Sequence, residues 1–369
     1  MKTYTIDEKK AYDLTYRVFR AMGYSEKESD YAGKVISTAD ARGVDTHGLA
    51  RVEMYYLIWK KPGTINREAK LRIIKETPIS AYVDADYGLG PVMAPQAMEI
   101  CIEKAQKTGV GIVSVKNSGH FSMAGYYSIE AAKRDMIGLV ASNTLPAMAP
   151  FGGTESILGN SPWTLAFPKG HKYDNYVMLD MACANAAFGK LQAKMRAGEP
   201  IPSDWAVDRD GNPTTDPMDV LDFHRGGPLI AFGGAKGPCL AVMMECLSTV
   251  LAGAGFAKES GTGDYLMDEP VGRRENLGHF MMAIDPAIFR PIADLKDDID
   301  RYVEYFHACR PRTGTPQVYL PGEIEGIQAH KRAVEGIPIP QPVMESLLRV
   351  YQELNLVSPD DGIDEMLAL

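Results

Sequence analysis

Between residues 37 and 51 the chain reads Ser-Thr-Ala-Asp-Ala-Arg-Gly-Val-Asp-Thr-His-Gly-Leu-Ala-Arg, a polar passage set between two apolar stretches. His47 and Arg51 are four residues apart, so on one helix they would share a face. An imidazole beside a permanently charged guanidinium suits a small carboxylate: the guanidinium forks onto the carboxylate and the imidazole moves a proton. The same residues also fit a plainer arrangement, with Thr46 as a helix N-cap, a capping His and a surface Arg.

Three further loops each follow an apolar run: Asn117-Ser-Gly-His120, Asp180-Met-Ala-Cys-Ala-Asn185 and Gly233-Gly-Ala-Lys-Gly237. Loops after strand ends are where an α/β scaffold presents binding groups. Glycines let backbone N–H groups approach a phosphate, and Gly233–Gly237 precedes a long apolar stretch, with Lys236 adding charge. Each loop also fits a simple tight turn. His120 suits either a site or a packed loop. His171, His224 and His330 sit in solvated loops, whereas His279 before a strand and His307 in a helix read as packing residues. No His or Cys spacing matches a metal site, and Cys183 reads as a packed free thiol rather than a nucleophile.

These groups need elements to hold them. Residues 6–22 carry Ala11, Leu14, Val18 and Phe19 at helical spacing, and Gly23 stops that helix. Ser25 with Glu28 forms a capping-box signature for a helix over 26–41. Two glycines within six residues then argue for a turn, and a further helix is expected from Thr46 to about Lys60. Beyond residue 70 the pattern alternates. Strands are expected at 71–75, 80–84, 110–115, 137–142, 165–167, 176–180, 229–232 and 280–284. Helices are expected at 93–107, 124–134, up to about 196, 240–251, 287–309 and 342–354, with a loop at 143–163 and a long surface excursion over 198–228. The result is a mixed α/β sheet beside a helical unit.

The chain has 369 residues, 45% of them hydrophobic, which suggests two or three lobes of an ordinary globular protein. A net charge of −9 argues against a general nucleic-acid or anionic-membrane binder but leaves room for a local basic pocket. Five dispersed cysteines suggest neither a disulfide framework nor a zinc site. The first residues lack the apolar core of a signal peptide and no run is long enough to span a membrane, so a cytoplasmic location is expected. Gly88-x-Gly90, Gly109-x-Gly111, Gly253-x-Gly255 and Gly261-x-Gly263 all lack the third glycine of a Rossmann fingerprint, and there is no Walker A sequence.

Read in order, these stretches resemble the malate/L-lactate dehydrogenase family that is unrelated to the Rossmann-type enzymes. The resemblance rests on Ala41–Arg51, Asn117–His120 with Ala124-Gly125, Asn143-Thr144 to Pro150, Gly159-Asn-Ser-Pro162, Leu179-Asp-Met-Ala182, Gly233–Gly237 and Pro321-Gly-Glu323, over nearly the whole chain. It implies a family-specific α/β (mixed α+β), non-Rossmann dehydrogenase fold. A central mixed-sheet, cofactor-binding domain over 71–286 would be flanked by helical segments from both chain ends, 1–70 and 287–369, in an intertwined homodimer. It implies an NAD(P)-dependent 2-hydroxyacid dehydrogenase acting on a small carboxylate, with NAD the first expectation and NADP the second. His47 and His120 would be catalytic, His47 moving the proton. Arg51, Tyr55, Asn143 and Thr144 would bind substrate. Asp180, Met181, Ala182, Cys183, Asn185, Gly234, Lys236, Pro321, Gly322 and Glu323 would contact cofactor, and no metal is implied.

Two departures stand out. Cys183-Ala-Asn185 replaces the Thr-Ser that usually follows Asp-Met-Ala, and Gly237-Pro-Cys239 replaces the usual Gly-Tyr-Gly. Both fall in cofactor segments and leave the choice between NAD and NADP open. Reduction of a cyclic imine carboxylate and a non-catalytic dimeric binding protein are the alternative readings.

Overall fold

The two ends of the chain are paired with each other. In this computed structural model, which describes residues 2–221, 226–261 and 274–369, strand β1 (Thr3–Ile6) runs antiparallel to β11 (Ile337–Pro340). His224 and Gly263 lie outside the described residues. Helix α1 (Glu8–Ala21) is capped by Asp7 and buries Ala11, Leu14, Val18 and Phe19. Helix α2 (Glu26–Ala41) opens on the Ser25–Glu28 capping box.

The helix expected from Thr46 is not continuous. Residues Asp45–His47 and Leu49–Arg51 form two separate 3-10 turns, and α3 (Val52–Lys60) begins only after them. The cause is the buried Asp40. Its carboxylate accepts the Leu49 N–H at 2.8 Å, so a side chain caps the segment. Gly48 lies so close that a Cβ there would come within 1.8 Å of Asp40 Oδ1. His47 and Arg51 therefore meet through a turn and not through helical periodicity.

The central sheet has the order β2-β3-β4-β10-β5-β8-β9. Its strands are β2 (Arg72–Glu76), β3 (Ser80–Asp84), β4 (Val110–Ser118), β5 (Ile137–Ser142), β8 (Trp163–Ala166), β9 (Met178–Met181) and β10 (Leu277–Ile284). Only the β3–β4 pair is parallel, which separates the sheet from a doubly wound nucleotide fold. The expected loop at 143–163 contains a small hairpin, β6 (Pro146–Met148) with β7 (Leu158–Gly159). The expected strand at 229–232 makes only isolated bridges.

Helices α4 (Gly90–Thr108), α5 (Ala124–Ala132), α6 (Phe188–Ala197), α7 (Met218–Leu221) and α8 (Lys236–Glu245) surround the sheet. They are followed by α9 (Ile292–His307), α10 (Glu323–Glu335), α11 (Gln341–Glu353) and α12 (Ile363–Ala368). One core joins Phe19, Ile36 and Tyr55 to Val83, Val113 and Met281 of the sheet and to Leu347 and Tyr351 near the C-terminus. Helix α9 departs from the pattern expected of 287–369. Its Ile299 and Val303 pack with Phe167, Val177 and Leu320 at the far sheet edge.

A second, smaller core gathers Met148, Cys183, Leu191, Ile201, Ala206, Val220 and Leu229. The stretch expected as a surface excursion thus contributes Ile201, Ala206 and Val220 to an interior. Widely spaced single apolar residues among Pro, Gly and Asp carry no periodicity that would announce this.

Candidate active site

A cleft of about 700 Å³ opens between the turn 42–51, the loop after β4, the start of the 143–147 segment, strand β9 and the residues before α10. His47, Arg51 and His120 all line it. The two imidazoles are stacked with ring centroids 5.7 Å apart.

The turn that carries His47 and Arg51 is held from below. Asp40 takes the Leu49 N–H, and Arg332 of α10 donates to the Asp40 carbonyl and to both oxygens of Asp45. Arg51 Nε donates to the Thr46 carbonyl at 2.6 Å. The rest of its guanidinium touches Met54 Sδ at 3.9 Å, and among the described residues no carboxylate pairs with it. Thr46 Oγ1 and His47 Nδ1 share a hydrogen bond of 2.9 Å.

The His120 loop is fixed by rings and hydroxyls. Phe121 lies between Tyr127 and His279, with centroids at 4.8 and 4.4 Å. His279 is itself fully buried on β10 and bonded to Ser142 and Ser118. Tyr55 Oη bonds His120 Nδ1 at 2.8 Å. Ser122 links the two histidines: its hydroxyl donates to the His47 carbonyl at 2.5 Å and its N–H to His120 Nδ1 at 3.4 Å. A backbone N–H can only donate, so Nδ1 of His120 is an acceptor and the neutral ring carries its hydrogen on Nε2.

Burial pushes the His47 imidazole from 6.5 down to about 3, and Arg51 pushes in the same direction. Burial does the same to His120, helped by Arg51, His47 and His279. The free site thus presents two neutral imidazoles beside a permanent cation. Burial also raises the Asp40 carboxyl to about 8.

The other expected site residues divide cleanly. Asp180, Met181, Ala182, Pro321 and Gly322 line the cleft. Gly322 is needed there: at φ 81° it sits on β9, where a Cβ would approach Met178 O to 2.9 Å. Asn143 and Thr144 also line it, but their side chains serve the scaffold. Asn143 bonds Gly255 O and Gly278 N, while Thr144 Oγ1 bonds Leu145 O and Asn160 N. Tyr55 does not reach the cleft and stands behind His120. Cys183 is turned into the small core, where burial raises its thiol to about 11. Asn185 donates to the Asp204 carbonyl instead. Gly234 and Lys236 are exposed at the start of α8, away from the cleft lining. Glu323 points to His307 and to the Leu320 N–H, and Glu325 lines the cleft in its place.

Arg42, Ser122 and Glu275 also line the cleft and were not singled out in the sequence. Arg42 carried a signal, as a charged residue closing a buried helix just before Gly43. Among the described residues no group of three His, Cys, Asp or Glu could hold a metal ion, and no helix is long and apolar enough to cross a membrane.

The family model for malate/L-lactate dehydrogenase matches residues 6–348. The chain belongs to this family. It is 38% identical over 344 residues to the malate/(S)-sulfolactate dehydrogenase of Methanothermus fervidus, covering 93% of this chain and 96% of that one. It is 34% identical to the NAD(+) ureidoglycolate dehydrogenase of Escherichia coli K12, covering 88% and 90%. The solved sulfolactate dehydrogenase of Methanocaldococcus jannaschii superposes with a TM-score of 0.85 at 36% identity, covering 98% and 99%. A malate/L-lactate dehydrogenase family member of this kind is a 2-hydroxyacid dehydrogenase with a small-molecule substrate and a nicotinamide cofactor. The cleft suits such a group. It has the volume of a cofactor pocket, and its lining includes the cations Arg42 and Arg51 and the carboxylates Asp180 and Glu325.

Proposed function

We propose reversible hydride transfer between the nicotinamide cofactor and C2 of a small 2-hydroxy or 2-keto acid of the malate or lactate kind. The observation that carries this is Arg51. Its guanidinium has no carboxylate partner among the described residues and shares a cleft with two neutral imidazoles. A half-buried guanidinium without a carboxylate partner is a ready-made clamp for a substrate carboxylate, and the clamp fixes the near-attack geometry. The cofactor, when bound, supplies or accepts the hydride. His47 takes the hydroxyl proton in oxidation, for which its neutral ring is already poised. In reduction it returns that proton to the carbonyl oxygen. A substrate carboxylate on Arg51 cancels the charge that adds to burial in holding the imidazole neutral, so binding of the keto acid eases the proton in. His120, with its hydrogen on Nε2, serves as a fixed donor to the same oxygen.

Asp180, Met181, Ala182, Pro321 and Gly322 are the segments read as holding the cofactor. The Cys183 departure leaves their surface untouched, because the thiol is in the small core. That favours a working enzyme over a non-catalytic binding protein. We also read the protein as a cytoplasmic homodimer. The apolar Met243, Val250 and Leu251, exposed along α8 and its continuation, suit burial against a second copy, and sedimentation at micromolar concentration tests it. The activity is tested by NADH and NADPH oxidation with oxaloacetate, pyruvate and sulfopyruvate. Consumption with one of them, lost in Arg51→Leu, supports the reading. Silence with all three, cofactor binding being confirmed, removes the malate/lactate-like assignment.

A further inference from the structure

Arg42 is 7% exposed, closes α2 and lines the cleft. Burying a guanidinium is costly unless it is paired and hydrogen-bonded. Yet among the described residues Arg42 makes no ion pair. Among the described residues its guanidinium bonds only Met178 Sδ, at 3.5 Å and a weak acceptor, and its Nε has no acceptor. Glu325 and Asp180 act on it through space as opposite charges without bonding to it. Asp180 spends one oxygen on the Gly125 N–H at 3.0 Å, and its side chain is exposed to the cleft. Met178 and Gly322, packed on each other, form the floor between them.

An unsatisfied buried cation facing a cleft calls for an anion. Two carboxylates at its mouth call for hydroxyl donors and resist a second anionic group. Those demands match a diphosphate joined to a ribose with free hydroxyls. We infer that Arg42 seats the diphosphate of the nicotinamide dinucleotide, and that Asp180 and Glu325 take the adenosine ribose hydroxyls and so favour NAD over NADP. This rests on the functional reading above and adds the residues that select the cofactor.

The test is direct binding, followed by protein fluorescence or calorimetry, of NADH, NADPH and ADP-ribose to the full chain. The wild type is expected to bind NADH more tightly than NADPH. Arg42→Gln should weaken NADH and ADP-ribose together by about tenfold or more, the scale of a charge-assisted hydrogen bond. Glu325→Gln should instead strengthen NADPH binding and narrow the preference, a gain that a misfolded variant cannot produce. Wild-type NADH binding with Arg42→Gln unchanged overturns the inference alone. Loss of NADH but not ADP-ribose affinity also overturns it, because Arg42 would then serve the nicotinamide end. A wild-type preference for NADPH, or a Glu325→Gln variant with unaltered preference, removes the selective role of the carboxylates. Wild-type protein that binds neither dinucleotide overturns both this inference and the functional reading.

Discussion

His47 and His120 face each other across one cleft, yet opposite means hold them in place. His47 rides on a turn supported by polar bonds, from the buried Asp40 carboxyl to the Leu49 N–H and within the Arg332–Asp45 ion pair. His120 rides on a loop supported by aromatic stacking and by Tyr55. The difference extends to the rings. His120 accepts a backbone N–H at Nδ1, which fixes its tautomer. His47 has only a rotatable hydroxyl at Nδ1, which can donate or accept as the ring gains or loses its proton. On the proposed roles, the ring that exchanges protons has the adaptable partner and the ring that only donates is locked.

Several substitutions sharpen or break that contrast. His47→Ala should lower kcat by about 10²–10⁴, the usual reach of acid–base catalysis, with NADH affinity kept. His120→Gln, which retains a donor, should cost far less. Equal losses in the two would end the division of roles. The pH dependence separates them further. The free His47 imidazole is held at about 3, so kcat/KM for oxidation should stay flat from pH 8 down to about 5. For reduction, which needs the protonated ring, kcat/KM should fall roughly tenfold for each unit that pH rises from about 5 to 8. A plateau in reduction up to pH 7 would place the acid elsewhere.

Arg51→Leu comes next. Losing charge-assisted hydrogen bonds to a carboxylate should raise KM for the keto acid by about 10- to 100-fold, read by steady-state kinetics, with NADH affinity unchanged. Tyr55→Phe removes one hydroxyl from His120 and should cost about tenfold or less in kcat/KM without moving the NADH dissociation constant. Asp40→Asn should show the smallest effect, and in stability. The Asp40 carboxyl is raised from 3.8 to about 8 in the folded chain, so its contribution is full below pH 3.8 and lost as pH rises through 8. The wild-type Tm should therefore fall as pH rises from about 4 to 8 and level off above that, and the Asn variant should flatten that decline. A parallel decline in both would assign it to other groups.

Much of this was legible in the sequence. The capping box at Ser25 and the apolar spacing of Leu14, Val18 and Phe19 state their helices outright. The β-branched runs state the sheet. The His47–Arg51 pair was found by a spacing rule that the structure does not obey, because Gly48 against Asp40 breaks the helix that would have aligned them. Helix α10 and strands β1 and β11 were missed. The two strands have four residues each, two of them prolines in β11, too short for an alternation to show. Arg42 and Glu275 reach the cleft only through tertiary folding, and Tyr55 moved from substrate contact to support because its burial is set by Phe19 packed against it. Side chains such as Asn143, spent entirely on backbone groups, cannot be told from ligand-binding ones without coordinates.

The pairing of β1 with β11 has a consequence for synthesis. Ile6 meets Ile337, and Tyr351 donates to the carbonyl of Leu14. A ribosome adding about 5–20 residues per second needs roughly 20 to 70 s to travel between those partners. Throughout that interval the part of the first helices that β11 and α11 cover lacks its native partner. Nascent-chain chaperones are the natural temporary occupant, and a circular permutant that joins the two ends in one early hairpin would shorten their task.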